Sequence, residues 1–335
     1  MNLQARIKGF VALGQQLSDP NNTLLNEAKL EAYRQNAWFL PEFIDQAILQ
    51  IREQFLDQSA LEAWTAAYPS IPNEATNLKV GIVMAGNIPL VGFHDFLCVL
   101  LSGHQVICKQ SSEDARLLPA LVKLLLLFEP DLSERIRFSD RKLVDYHAVI
   151  ATGSNNSMLH FEQYFSHVPH LFRGHRTSVA VLTGNESKGE LHALGVDCLT
   201  YFGRGCRNVT HLLFPEGFDL NRFFEAIVDL SDVVNNKKYG NNYDYNKAVH
   251  LMNLSKFLDN NFLLMKESDQ LFSPLSMLHY QFYKSSEELT SFLDAHRSQI
   301  QCVVGQDYIP FGQAQCPSLM DYADGMDTME FLATC

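Results

Sequence analysis

The chain has no CxxC pair, no GxGxxG and no apolar run approaching the roughly 18 residues that a membrane-crossing helix needs. Its longest apolar stretch, Leu117 to Phe128, is interrupted by Lys123 and closed by Glu129-Pro130, which marks a buried core helix. The first ten residues lack the charged-then-apolar pattern of a secretory leader. Charge is scarce, at 19% of residues against 47% apolar, a balance that excludes a disordered chain. Seven cysteines, an odd number with no even ladder of spacings, argue against a disulfide framework and for reduced thiols in a cytoplasmic protein. A net charge of −12 disfavours nucleic acid and anionic membranes as partners, so local groups must hold any anionic ligand.

A length of 335 residues is enough for two domains with sizeable cores. Residues 1–75 read as a helical segment. Asp19-Pro20 ends a first amphipathic run, Asn22 or Thr23 can cap a second, and Asn36 to Trp64 carries apolar residues at three- and four-residue spacing. Tyr68-Pro-Ser-Ile-Pro72 is a boundary. Beyond Leu78, short β-rich runs alternate with helices: Val80–Met84, helix Val91–Leu101, Gln105–Lys109, helix Ala115–Phe128, His147–Ala151, helix Asn155–Phe165 and Ser178–Leu182. Such alternation specifies parallel βαβ units and an open, doubly wound sheet, whose ligands collect at the carboxyl ends of the strands.

Four loops carry chemistry-bearing residues. After the first strand, Gly86 permits a tight bend, Pro89 sets the start of the next helix, and Asn87 can aim an amide N–H at an oxyanion or serve only its own turn. After the second, Lys109 precedes Ser111 and Ser112, an arrangement suited to an anion or a ribose, although Ser112 or Asp114 serves equally as a helix cap. After the third, Thr152-Gly153-Ser154 is a strand-to-helix turn able to cradle phosphate with backbone N–H groups. Finally, Cys206 lies between Gly205 and Arg207, just ahead of the strand-like Thr210–Phe214. A turn of this kind presents a nucleophile, and a nearby cation such as Arg207 would favour its thiolate.

The order of these loops resembles the aldehyde dehydrogenase superfamily from Leu78 onward. Gly86-Asn-Ile-Pro-Leu-Val-Gly-Phe-His-Asp95, Ser102-Gly-His-Gln-Val-Ile-Cys-Lys109, Phe172-Arg-Gly-His-Arg-Thr-Ser-Val-Ala-Val-Leu182 and Tyr201 through His211 resemble, within it, the LuxC-like acyl-CoA reductases. The resemblance implies an α/β fold: a doubly wound parallel sheet for the cofactor (residues 76–195, joined by a C-terminal return, 306–335), a second α/β domain with the catalytic cysteine (196–305), and the N-terminal helical segment. It makes Cys206 the acyl-accepting nucleophile and Asn87 the side-chain donor to the oxyanion, beside the Cys206 backbone N–H. Lys109 falls where the superfamily contacts the adenosine ribose, and Gly153 and Ser154 fall near the pyrophosphate.

Departures from the superfamily pattern refine the expectation. Where hydrolytic members carry a water-activating glutamate, this chain has Arg173-Gly174-His175-Arg176, so a thioester survives until hydride arrives. Ser112 stands where NAD-preferring members often carry a glutamate, which favours NADPH and leaves NADH open. Gln270, in Gln270-Leu-Phe-Ser-Pro274, replaces the acid that contacts the nicotinamide ribose; it can still bond a hydroxyl, or the segment is an ordinary Ser-Pro turn. Phe311-Gly312 through Gly325 resembles the segment that returns to the cofactor domain.

The expected activity is therefore NADPH-dependent reduction of an acyl-CoA, fatty in class, to an aldehyde through a Cys206 thioester. An acyl-phosphate reductase and a non-catalytic acyl-CoA or nucleotide-binding protein on the same fold are the alternatives. A homodimer, and an acyltransferase or acyl-carrier partner, are compatible with the chain. Glu190 is an acid that could fold back as a general base. His167, His170 and His175 lack cysteine or acid at metal-ligand spacing, Cys198 reads as a buried structural thiol, and Tyr239 to Tyr245 reads as a polar aromatic loop.

Overall fold

A computed structural model describes residues 1–335, the side chain of Asn155 excepted. The chain divides into two compact units, Met1–His175 with Pro317–Cys335, and Arg176–Cys316.

The first unit opens with four helices, α1 (Leu3–Leu17), α2 (Thr23–Gln35), α3 (Pro41–Gln50) and α4 (Gln58–Ala66). Their starts follow from capping: Asn2, Asn22 and Asp57 accept a backbone N–H from the first turns of α1, α2 and α4, and Pro41 occupies the first position of α3. Helix α1 buries Ile7, Phe10, Leu13 and Leu17, a stripe at three- and four-residue spacing. Then come β1 (Lys79–Val83), α5 (Phe93–Leu101), β2 (Gln105–Lys109), α6 (Leu117–Leu126), β3 (Ile136–Phe138), β4 (Ala148–Thr152), α7 (Asn155–Phe165) and β5 (His170–Arg173).

The five strands form one parallel sheet in the order β3-β2-β1-β4-β5. Ile82, Val106, Ile107, Val149 and Ile150 are buried, as expected for strands covered on both faces. The order reverses between β1 and β4, so the loops that follow these strands flank the crevice where such sheets hold ligands.

The helical segment expected over residues 1–75 is present, and its helices pack into the core of the first unit. Phe10, Leu25, Ile44 and Trp64 share one core with Val80, Phe96, Val106, Leu121 and Ile150. The chain's end joins the same core through Tyr322 and Met329, and the Trp64 indole N–H donates to the Tyr322 hydroxyl at 2.8 Å.

The second unit contains β6 (Thr177–Val181), α8 (Lys188–Leu199), β7 (Val209–Pro215), α9 (Asn221–Ala226), α10 (Lys237–Met252), β8 (Leu258–Asp259), β9 (Leu264–Glu267), β10 (Met277–Tyr283), α11 (Ser286–Ala295) and β11 (Ile300–Gly305). The strands run in the order β11-β6-β7-β10-β9-β8, all parallel except β8. Helix α12 (Thr328–Thr334) closes the first unit.

The unit boundaries differ from those expected, because Thr177–Val181 pairs on one side with β7 and on the other with β11. The division therefore falls after His175, not after residue 195, and the return begins at Pro317, not at 306. Tyr239 to Tyr245 is likewise not a loop. It lies within α10, capped by Asn236, with Tyr239 and Tyr243 buried one turn apart; packing outweighs the weak helix propensity of its glycine and asparagines.

Candidate active site

Chain tracing through β1, β2 and β4 brings Asn87, Lys109, Ser112, Gly153 and Ser154 to the carboxyl edge of the first sheet. The loop after β1 is pressed against the loop after β2: a Cβ on Gly86 would lie 2.4 Å from the Ser111 hydroxyl oxygen. Glycine is therefore required there for close approach rather than for a special bend. Leu90 ends the loop with φ +57°, a conformation disfavoured for leucine, and its N–H is held by the Asp114 carboxylate at 2.7 Å. Burial pushes the Asp114 pKa up to about 6, against the pull of the Leu90 and Leu117 N–H groups. Asp114 thus ties the Asn87 loop to the Lys109–Ser112 loop.

Lys109 is the last residue of β2, with its side chain half-buried. The Ser112 carbonyl accepts from the Gln35 amide at 2.8 Å, and the Asn36 amide donates to the Glu113 carbonyl at 3.2 Å, so the end of α2 braces this loop while the Ser112 side chain stays exposed. Gly153 sits where a Cβ would lie 2.8 Å from Ser157, and its N–H donates to the Arg173 carbonyl at 3.1 Å. Ser154 caps α7, its hydroxyl accepting from the Ser157 N–H at 3.3 Å.

At the end of β5, in the position of the missing glutamate, the Arg173 guanidinium is buried. Its Nη1 donates to both oxygens of Asp95 at 2.7 Å, and its Nη2 donates to the Thr328 hydroxyl. Burial alone would lower the Arg173 pKa, but the Asp95 charge and hydrogen bonds hold it above the usual range. The acid nearest this position is therefore spent on an ion pair. Glu190 is spent as well, in the capping box of α8, where its carboxylate accepts from the Ser187 N–H and hydroxyl.

Cys206 belongs to the second unit and lies, half-buried, on the turn between α8 and β7. The turn is built from three successive left-handed residues, Tyr201, Phe202 and Gly203, with φ of 53°, 59° and 74°. Two of these are not glycine, and each costs about 1–2 kcal/mol in isolation. What holds the turn is Asn208, which is fully buried. Its Oδ1 accepts from the Gly205 N–H at 2.7 Å, and its Nδ2 donates to the carbonyls of Asp197 at 2.9 Å and Thr200 at 2.8 Å. The Ser178 hydroxyl, from the neighbouring strand, donates to the Cys206 carbonyl at 3.0 Å.

The Arg207 Nε donates to the Ala314 carbonyl, and its charge acts on Asp197. Asp197 in turn accepts from the N–H groups of Gly312 at 2.6 Å and Ala314 at 3.0 Å, and burial pushes its pKa up to about 6. The cysteine turn, the end of α8 and the segment 312–314 thus form one hydrogen-bonded unit. Cys198 is buried, and desolvation raises its pKa well above the ordinary thiol value. Gln270, also in the second unit, is exposed on the turn before β10. Asn208, Asp197, Asp95 and Asp114 went unnoticed as site residues in the sequence; the only signal was their proximity in sequence to the named loops.

No helix is long and apolar enough to cross a membrane, and among the described residues no group of three or more His, Cys, Asp or Glu is placed to hold a metal ion. A family model described as acyl-CoA reductase (LuxC) matches residues 16–239, the greater part of the chain. Among solved structures, an aldehyde dehydrogenase of Mycobacterium tuberculosis complexed with NAD+ superposes with a TM-score of 0.62 at 13% identity, covering 87% of this chain and 71% of that one. Aldehyde dehydrogenase 21 of Physcomitrella patens, in complex with succinate, gives 0.65 at 12% identity, covering 92% and 74%. An NADP-dependent glyceraldehyde-3-phosphate dehydrogenase of Bacillus halodurans complexed with NADP gives 0.58 at 11% identity, covering 92% and 75%. At these identities the likeness is one of fold. No curated protein matches the chain.

Proposed function

The chain belongs to the acyl-CoA reductase (LuxC) family, and from that premise we propose that it reduces a fatty acyl-CoA to the aldehyde through a thioester on Cys206, with NADPH as reductant. The observation that carries this reading is that one chain has both a cysteine turn held rigid by Asn208 in its second unit and, in its first, a strand end where Arg173 and Asp95 neutralise each other. Such a chain can accept an acyl group, and the Asp95 carboxylate at that strand end is committed to an ion pair rather than to activating water.

The Cys206 thiolate attacks the acyl-CoA carbonyl carbon. As the Sγ–C bond forms, the carbonyl π pair moves to oxygen; Asn87 and the Cys206 N–H donate to that oxyanion, and removal of one such donor costs about 2.7–4 kcal/mol in comparable sites. The pair returns to re-form the carbonyl as the C–S bond to CoA breaks and CoA leaves as its thiolate. The carboxyl edge of the first sheet fits a dinucleotide: Gly153 keeps the main chain bare beside the first turn of α7, Lys109 offers a cation, and exposed, neutral Ser112 does not repel a 2′-phosphate. When bound there, the nicotinamide cofactor supplies the hydride that brings the acyl carbon to the aldehyde level. Cys206 then holds a thiohemiacetal, whose collapse releases aldehyde and restores the thiolate.

Incubating the protein with acyl-CoA alone tests this reading. CoA release should stop at one equivalent per site, and intact mass should rise by one acyl group. Adding NADPH should then yield aldehyde, with a panel of chain lengths reporting the preferred acyl group. Steady release of free fatty acid without NADPH would refute it, and phosphate release from an acyl phosphate in place of acyl-CoA turnover would reassign the substrate.

A further inference from the structure

Two buried histidines play no part in the chemistry above, and both point to the same atom. His211 on β7 and His279 on β10 are register partners on adjacent parallel strands. The Nδ1 of His279 lies 2.8 Å from the Gln270 carbonyl oxygen and the Nδ1 of His211 lies 3.1 Å from it. A carbonyl can only accept, so each ring carries its proton on Nδ1, and the two donors fill both lone pairs of that oxygen. The rest of the turn is held as firmly: the Gln270 N–H donates to the Ser268 hydroxyl at 3.1 Å, the Ser268 N–H to the Tyr280 carbonyl at 3.1 Å, and the Thr210 hydroxyl to the Leu271 carbonyl at 3.3 Å. Leu271 is buried next to Val179 and Ile300. The main chain of the turn is thus fixed on every side while the Gln270 side chain stays exposed.

An ordinary Ser-Pro turn needs none of this. Both imidazoles are buried, and burial holds their pKa values below the ordinary histidine value, against the carbonyl's pull, so they donate as neutral rings at neutral pH. Two neutral donors on one carbonyl define its direction, and together with the Gln270 N–H bond to Ser268 they set the Cα–Cβ bond from which the side chain starts.

We propose that His211 and His279 are positioning residues that pin the Gln270 carbonyl and thereby hold the Gln270 amide for the ribose hydroxyls on the nicotinamide side of the cofactor. This rests on the reading of the protein as a nicotinamide-dependent reductase. It predicts a division of labour, since cofactor binding depends on the clamp and acylation of Cys206 does not.

The test uses the full chain and two readouts: the CoA burst from acyl-CoA without cofactor, and the KM for NADPH in aldehyde formation. His279→Leu should raise the KM for NADPH about tenfold and leave the burst rate within about twofold. His279→Asn, whose Nδ2–H can occupy the place of the imidazole Nδ1–H, should recover most of that loss. Gln270→Ala should resemble His279→Leu, and the double variant should be little worse than either single one, because both remove the same contact. An unchanged KM in His279→Leu, equal losses in burst and KM, or full additivity with Gln270→Ala would overturn the assignment. Should His279→Leu fail to fold, His211→Asn and His211→Leu carry the same comparison. Absence of both a CoA burst and NADPH oxidation in the wild-type protein would instead overturn the underlying reading.

Discussion

Replacing Asp114 by asparagine should stabilise the first unit, and by an amount that depends on pH. The carboxylate is 8% exposed and accepts from the Leu90 N–H, with the Leu117 N–H also favouring its charge. Burial raises its pKa from 3.8 to about 6. A folded-state pKa above the unfolded value means that the native state binds the proton more tightly. The group therefore contributes most stability below pH 3.8 and loses it as pH rises through about 6. At pH 8 the ionised form costs roughly 3 kcal/mol, and about half of that remains at pH 5. Asparagine keeps an oxygen for the Leu90 N–H and carries no charge. Its two new N–H groups need desolvating, which sets an offset, but that offset does not change with pH. The stability gain of Asp114→Asn over wild type should thus be about 1.5 kcal/mol larger at pH 8 than at pH 5. Urea unfolding followed by tryptophan fluorescence measures it, since Trp38 and Trp64 both lie in the unit that holds Asp114. The same effect at both pH values would show that the buried charge carries no penalty.

Cys206→Ala should retain less than about 1% of aldehyde formation with NADPH binding intact, measured by product analysis and cofactor fluorescence; more turnover than that excludes a covalent route. Ser112→Glu should shift the kcat/KM ratio toward NADH without loss of stability, because the Gln35 contact holds the loop through its carbonyl and not through the side chain; an unchanged ratio refutes the placement of the 2′-phosphate. Asn208→Ala should cost about 2–4 kcal/mol in the second unit and slow the CoA burst at least tenfold. Asn208→Asp should do no better, since it turns two donors into an acceptor facing the carbonyls of Asp197 and Thr200; a wild-type burst in either variant would show that Asn208 does not set the cysteine turn.

Local rules made much of this protein legible before folding was considered. Five-residue runs with apolar centres, such as Gln105–Lys109 and Ala148–Thr152, read as buried parallel strands, Asn22 or Thr23 as a cap, and the carboxyl ends of β1, β2 and β4 bring Asn87, Lys109 and Gly153 to the edge where such sheets meet ligands. Cys206 stood out because glycine and arginine flank it just ahead of a strand. Other features required the tertiary structure. Thr177–Val181 reads identically as the last strand of one sheet or a central strand of the next, since its two partners, β7 and β11, come later in the chain. Nothing local tells that Asp95 answers Arg173 across 78 residues, that Gly86 must be bare because Ser111 presses on it, or that His211 and His279 share one carbonyl. Period, propensity and capping act over a few residues and are written in the sequence. Which buried polar group finds which partner depends on where distant segments come to rest, and in this chain those partnerships hold the loops that carry the chemistry.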